Sequence, residues 1–137
     1  MMRILMVAQA ESAWGRALWG ADGFAHWLCD ALVEHGSTCE TIVDLGPEHA
    51  DAADAVVVLT DGDTPVPAMG SDGVFCVLWI LGPCGAAVAA QLDSYDLVLT
   101  AAELDLPRLR RNTRAPVALL REGIDSRLLA PVGAADG

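Results

Sequence analysis

Arg3–Gln9, RILMVAQ, places five apolar residues at consecutive positions, Ile4 to Ala8. A half-exposed strand would alternate polar and apolar residues, so an unbroken run this short suits a strand buried on both faces of a parallel sheet. After a loop, Phe24, Trp27, Leu28, Ala31, Leu32 and His35 recur at spacings of three and four and end at Gly36, as in a helix stopped by glycine. Thr38 to Leu45 then sets Cys39, Thr41, Val43 and Leu45 on one face, with Ile42 on the other, the pattern of a strand near a sheet edge. Four more short apolar runs come after it: 55–59 (AVVVL), 74–80 (VFCVLWI), 97–99 and 117–120 (VALL). Between them, Gly85 to Leu92 and Glu103 to Arg111 carry helix-favouring residues, whereas 61–73 (DGDTPVPAMGSDG) is too rich in Gly, Pro and Asp for more than a turn of helix. Strands alternating with helices predict right-handed crossovers. The fold class is α/β, a Rossmann-like three-layer domain over 1–131 with a mostly parallel six-stranded sheet, followed by a flexible tail over 132–137.

The chain has 137 residues, 53% of them hydrophobic, enough for one domain with its own core. All eight basic residues are arginine. Without lysine there is no P-loop nucleotide site, no Schiff-base or pyridoxal phosphate chemistry, and no phospho-receiver chemistry of the kind that needs one. A net charge of −11 disfavours nucleic acid and anionic membrane surfaces, whose binding depends on basic faces. The longest apolar stretch, Val74 to Leu81, is too short to span a bilayer, and the first one is too short for a signal-peptide core. Cys29, Cys39, Cys76 and Cys84 form no C-x-x-C pair. They are read as reduced thiols of a soluble cytoplasmic protein, with no metal site.

Ligands of open α/β sheets bind at the carboxyl ends of the strands, so the residues just beyond each apolar run are the candidates for a site. After the first run come Glu11, Trp14, Trp19 and Gly20, then Asp22 before the helix. The segment lacks G-x-G-x-x-G, so no NAD or FAD site and no cofactor is expected. Trp14 and Trp19 either cap the core or form a stacking platform for a ligand. Asp22 suits a helix N-cap or a general base, and His26, in the first helical turn, suits a solvated histidine or a base. Asp61 and Asp63 are read as solvated turn residues. Gly82, after the fourth run, would let a helix N-terminus approach an anion, and Cys84 there is a candidate low-pKa thiol. Arg121 ends the last run, close to the expected cleft.

Three segments, in order, resemble parts of a known family. Glu122-Gly123-Ile124-Asp125-Ser126-Arg127-Leu128-Leu129-Ala130-Pro131 is similar to the segment with which the N-terminal domain of many GT-B glycosyltransferases hands over to the second domain. Trp19-Gly20, Phe24-Ala25, Leu28, Ala31-Leu32 and Gly36 resemble the first helix of glycosyltransferases related to spore-maturation proteins. Leu78-Trp79-Ile80 and Leu92 to Ala101 resemble their "W-I-S-H-P … L-x-x-Y-D-x-V-F-V-A-S" pattern. The resemblance implies the acceptor-side half of such an enzyme. His26 and Asp22 would be its catalytic candidates, and Glu11, Trp14, Trp19, Gly20, Gly82 and Arg121 would line the substrate side. It also implies a small-molecule or glycan acceptor, and a donor-binding C-terminal domain or separate subunit as partner. Without that partner the chain has half a cleft, and a homo-oligomer is one way to cover the open face.

The chain departs from the pattern at Ala21 and Gly23, where relatives carry Asp and His, and at Leu81-Gly82-Pro83-Cys84, where they carry Ser-His-Pro-Asp. Small or apolar residues at those positions motivate an alternative, a non-catalytic α/β binding or partner module derived from such a domain. A flavodoxin-like or reductase domain is a third reading.

Overall fold

The computed structural model describes residues 2–9, 24–42, 53–69 and 73–121. Its six strands are β1 (Arg3–Gln9), β2 (Thr38–Ile42), β3 (Ala55–Thr60), β4 (Phe75–Ile80), β5 (Leu97–Thr100) and β6 (Val117–Leu119). They form one sheet in the order β2-β1-β3-β4-β5-β6, and every pairing is parallel. Among the described residues the helices are α1 (Phe24–Glu34), α2 (Ala86–Ala89) and α3 (Leu106–Asn112), with 3-10 turns at Leu92–Ser94 and Glu103–Asp105. The α/β, Rossmann-like expectation therefore holds, with a sheet that is wholly parallel. The two segments read as carrying helix-favouring residues each divide between a 3-10 turn and a short α-helix. Pro107 explains one division, because it sits in the first turn of α3, where its missing N–H costs nothing. The crossover after β3 is irregular over its described residues, as its composition predicts.

Strand alternation divides the core into two layers. Val56, Val58, Cys76, Leu78, Ile80 and Val98 face one side, where Val66, Val88, Leu92, Tyr95 and Leu109 close over them. Met6, Leu59 and Trp79 face the other, against Ala25, Leu28 and Leu32 of α1. Each fully buried side chain of this size contributes roughly 1.5–3 kcal/mol, so the central strands carry most of the stability. The chain winds one way from β1 through α1 to β2, then the other way from β3 to β6. Right-handed crossovers in opposite directions put their connections on opposite faces, which is how one sheet acquires two covered sides.

Helix α1 ends as the sequence predicts. Gly36 has φ +94°, its N–H donates to the Val33 carbonyl at 3.0 Å, and the Ser37 N–H donates to the Leu32 carbonyl at 3.1 Å. This pair of bonds satisfies carbonyls that the last helical turn would leave open, and only glycine adopts the required backbone without strain. The turn folds β2 back beneath α1.

That return overturns one expectation. Cys29 of α1 and Cys39 of β2 are joined as a disulfide, with Cα atoms 5.4 Å apart. Only Cys76 and Cys84 are free, and both are buried. The two bonded cysteines are ten positions apart in no recognisable motif. The helix-to-strand turn brings them together, which spacing alone does not encode.

Candidate functional site

In this strand order the winding direction reverses between β1 and β3, and in open α/β sheets the carboxyl ends of the strands at such a reversal are the usual place of a ligand crevice. Register aligns Gln9, Thr60, Ile80, Thr100 and Leu119 as one row across that end. Thr60 and Thr100 are fully buried on either side of Ile80. Each uses its hydroxyl to catch the backbone two residues on: Thr60 Oγ1 accepts from the Gly62 N–H and Thr100 Oγ1 from the Ala102 N–H, both at 3.1 Å. A threonine in this place ends a strand and satisfies the first amide of the turn beyond it.

Asp61 comes directly after Thr60 and is only 6% exposed, which corrects its reading as a solvated turn residue. Its Oδ1 accepts from the N–H groups of Asp63 at 2.9 Å and Thr64 at 3.0 Å, and the Thr64 hydroxyl reaches Oδ2 at 3.4 Å. The carboxylate is buried because it replaces water for amides that the sheet no longer pairs. Asp63 remains exposed.

The β3 and β4 ends are locked together through backbone. The Leu81 N–H donates to the Thr60 carbonyl at 2.9 Å and the Gly85 N–H to the Gly62 carbonyl at 2.8 Å. A Cβ on Gly82 would collide with the Asp61 carbonyl, and one on Gly62 with the Pro83 carbonyl. Gly82, a substrate-side candidate by sequence, thus has a packing reason to be glycine. Cys84 is held from below: its N–H donates to Asp105 Oδ2 at 3.1 Å, and Arg108 Nη2 donates to its carbonyl at 3.0 Å and to Asp105 Oδ1 at 3.0 Å. Burial pushes the Cys84 thiol up; the Arg108 guanidinium pulls against this and Asp105 adds to it. A thiol held in that direction is a poor nucleophile at neutral pH, contrary to the low-pKa candidate.

His26 stands half-buried in the first turn of α1. Arg121 is exposed after β6 and pairs with Glu103 at 2.7 Å. Three strand spacings, roughly 14 Å, separate β6 from β3, so Arg121 stands at the far end of the row from the crevice. Glu11, Trp14, Trp19, Gly20 and Asp22 lie outside the described residues, as do the ending 122–131 and the tail 132–137. The described rim therefore holds His26, Gly82 and Arg121 on three separate elements. Sequence reasoning misses the clamp of Asp61, Asp105 and Arg108; the D-G-D-T string after an apolar run is its one visible signal.

Among the described residues, no group of three or more His, Cys, Asp or Glu side chains is placed to hold a metal ion. No described helix is long and apolar enough to cross a membrane. No family model, curated protein or solved structure matches the chain.

Proposed function

We propose that the chain is the acceptor-side half of a GT-B-type glycosyltransferase, which receives a small-molecule or glycan acceptor at the carboxyl end of its sheet. The observation that carries the reading is the order of the three resembling segments along nearly the whole chain. Two features of the fold support it. The sheet is doubly wound with a reversal at β1 and β3, an architecture that binds ligands at that crevice. The first turn of α1, the first described helix after β1, carries His26, the base candidate for an acceptor hydroxyl. The nucleotide-sugar donor would be held by a C-terminal domain or a separate subunit, and the setting would be the cytoplasm. The net charge of −11 supports a reading without nucleic-acid partners.

A second reading, a non-catalytic α/β binding module, is favoured by the rim itself. Around the β3 and β4 ends, Asp61, Asp105 and Arg108 are spent on backbone groups of the loops that they join. Immunoblotting of source-cell lysate separates the two. A band at roughly two to three times the 14.3 kDa of this chain, as two or more domains require, supports the glycosyltransferase half. A band at 14.3 kDa, with no nucleotide-sugar turnover in any complex that co-purifies, supports the binding module. Release of nucleoside diphosphate from nucleotide sugars by the isolated chain would overturn the half-site reading.

A further inference from the structure

The geometry points to the Cys29–Cys39 bond as a reversible redox clip that fixes α1 to the sheet edge, opened by a dithiol reductant without unfolding the rest of the domain. Such a clip works in the same way whether or not the chain is half of a glycosyltransferase. Cys29 is buried within α1, whereas Cys39 is half-buried on β2, the outermost strand on its side of the sheet. None of the five β2 residues is buried. Besides the bridge, β2 is held among the described residues by its ladder to β1, by its packing against α1 and by the partial burial of Cys39, Thr41 and Ile42. Helix α1 lies over β2 and also seats Ala25, Leu28 and Leu32 against the layer of Met6, Leu59 and Trp79. The bridge thus joins a helix seated on the sheet to an edge strand that has no buried residue of its own to secure it.

That placement favours local opening, because segments with few buried contacts open well below the free energy of global unfolding. It also reaches the candidate site, since His26 lies one helical turn before Cys29 on α1.

In the exchange, a thiolate of the dithiol attacks Sγ of Cys39, the more exposed residue; the S–S bond breaks, and Cys29 leaves as a thiolate and takes a proton. The second thiol of the reductant then attacks its own sulfur in the mixed disulfide, which releases Cys39. Two electrons and two protons pass to the protein, and the dithiol becomes a disulfide. A disulfide oxidant runs the exchange backwards.

The free cysteines supply the control. Cys76 and Cys84 are buried in the core, so they react only if the sheet opens. The folded chain is equilibrated with graded mixtures of reduced and oxidised dithiothreitol, alkylated with iodoacetamide and mapped by mass spectrometry, with amide exchange monitored in parallel. Expected is labelling of Cys29 and Cys39 alone, reversed by reoxidation, with about tenfold faster exchange over 24–42 and none of that increase over β3 to β5. Cys29→Ser and Cys39→Ser should show the fast exchange in every mixture; should either fail to fold, the reduced natural chain provides the same comparison. Labelling of all four cysteines together would overturn the inference, making the bridge a staple that opens only on unfolding. Failure of the bond to form under oxidant, or equal exchange in both forms, would overturn it too.

Discussion

Asp61 shows how a single residue can serve two turns, one through its carboxylate and one through its backbone carbonyl. It accepts from the Asp63 and Thr64 amides while its own carbonyl lies against Gly82, so the turn after β3 and the turn after β4 share it. Asp61→Ala leaves those amides buried without an acceptor and should destabilise by about 2–4 kcal/mol, read as a lower urea midpoint with unchanged slope. Gly62→Ala meets two obstacles at once, a φ of +102° and the Pro83 carbonyl, and should cost about as much. Tyr95 gives a cleaner readout because it is the chain's one tyrosine. Its hydroxyl donates to the Pro67 carbonyl at 2.7 Å; burial, and then the neighbouring Cys76, push its ionisation well above the usual phenol range. A raised folded value means that the native state keeps a proton the unfolded chain loses. Stability from this group is therefore intact below about pH 10 and falls as pH rises beyond it. Phenolate absorbance should appear together with loss of near-ultraviolet circular dichroism; a phenolate signal in the folded protein near pH 10 would refute this. Asp93 behaves oppositely. The Thr113 hydroxyl at 2.6 Å and the Arg114 N–H hold its carboxyl below the usual range, so its contribution is present above about pH 4 and is lost as pH falls through the folded value.

At the scale of elements, Leu109 is the buried anchor of α3. Leu109 is 1% exposed in the core, whereas Leu104, in the preceding turn, is 94% exposed. Leu109→Ala should cost about 2–5 kcal/mol and Leu104→Ala within about 0.5 kcal/mol, measured by denaturant unfolding of the two variants. Five of the six strands are legible in the sequence because each is a run of apolar residues, as burial on both faces of a parallel sheet demands, and β2 is legible from its alternation as an edge strand. Helix α1 is legible from its spacing and from Gly36. Less is legible where composition admits several short structures, as in 85–94 and 103–112, which divide into 3-10 turns and α-helices. The Cys29–Cys39 bond is not legible, because it depends on where the Gly36 turn aims β2. Of the candidate site, the sequence shows which residues follow the strands but not what their side chains bond to. Asp61 reads as solvated because nothing in D-G-D-T reveals how tightly the β4 loop packs above it. Trp79, part of the resembling pattern, has its indole Nε1–H donating to the Leu120 carbonyl at 2.9 Å, a bond that ties β4 to the end of β6 across β5.

For the whole molecule, charge is the dominant bulk property. A net charge of −11 makes the folded chain repel itself, and added salt screens that repulsion over about 10 Å at 0.1 M. The thermal midpoint should rise between roughly 10 and 300 mM sodium chloride; a flat or falling profile would show that the surface charges are already balanced locally. The parallel sheet has a consequence of another kind. Among the described residues no two strands form a hairpin, and β1 takes β3 as its inner neighbour, with Met6 opposite Val57. During synthesis at roughly 5–20 residues per second, Arg3–Gln9 leaves the ribosome several seconds before that neighbour exists. For that interval the most apolar stretch of the N-terminal region has no partner on its inner side. Newborn chains would then be most in need of chaperone cover at their first strand, in the time before the third one emerges.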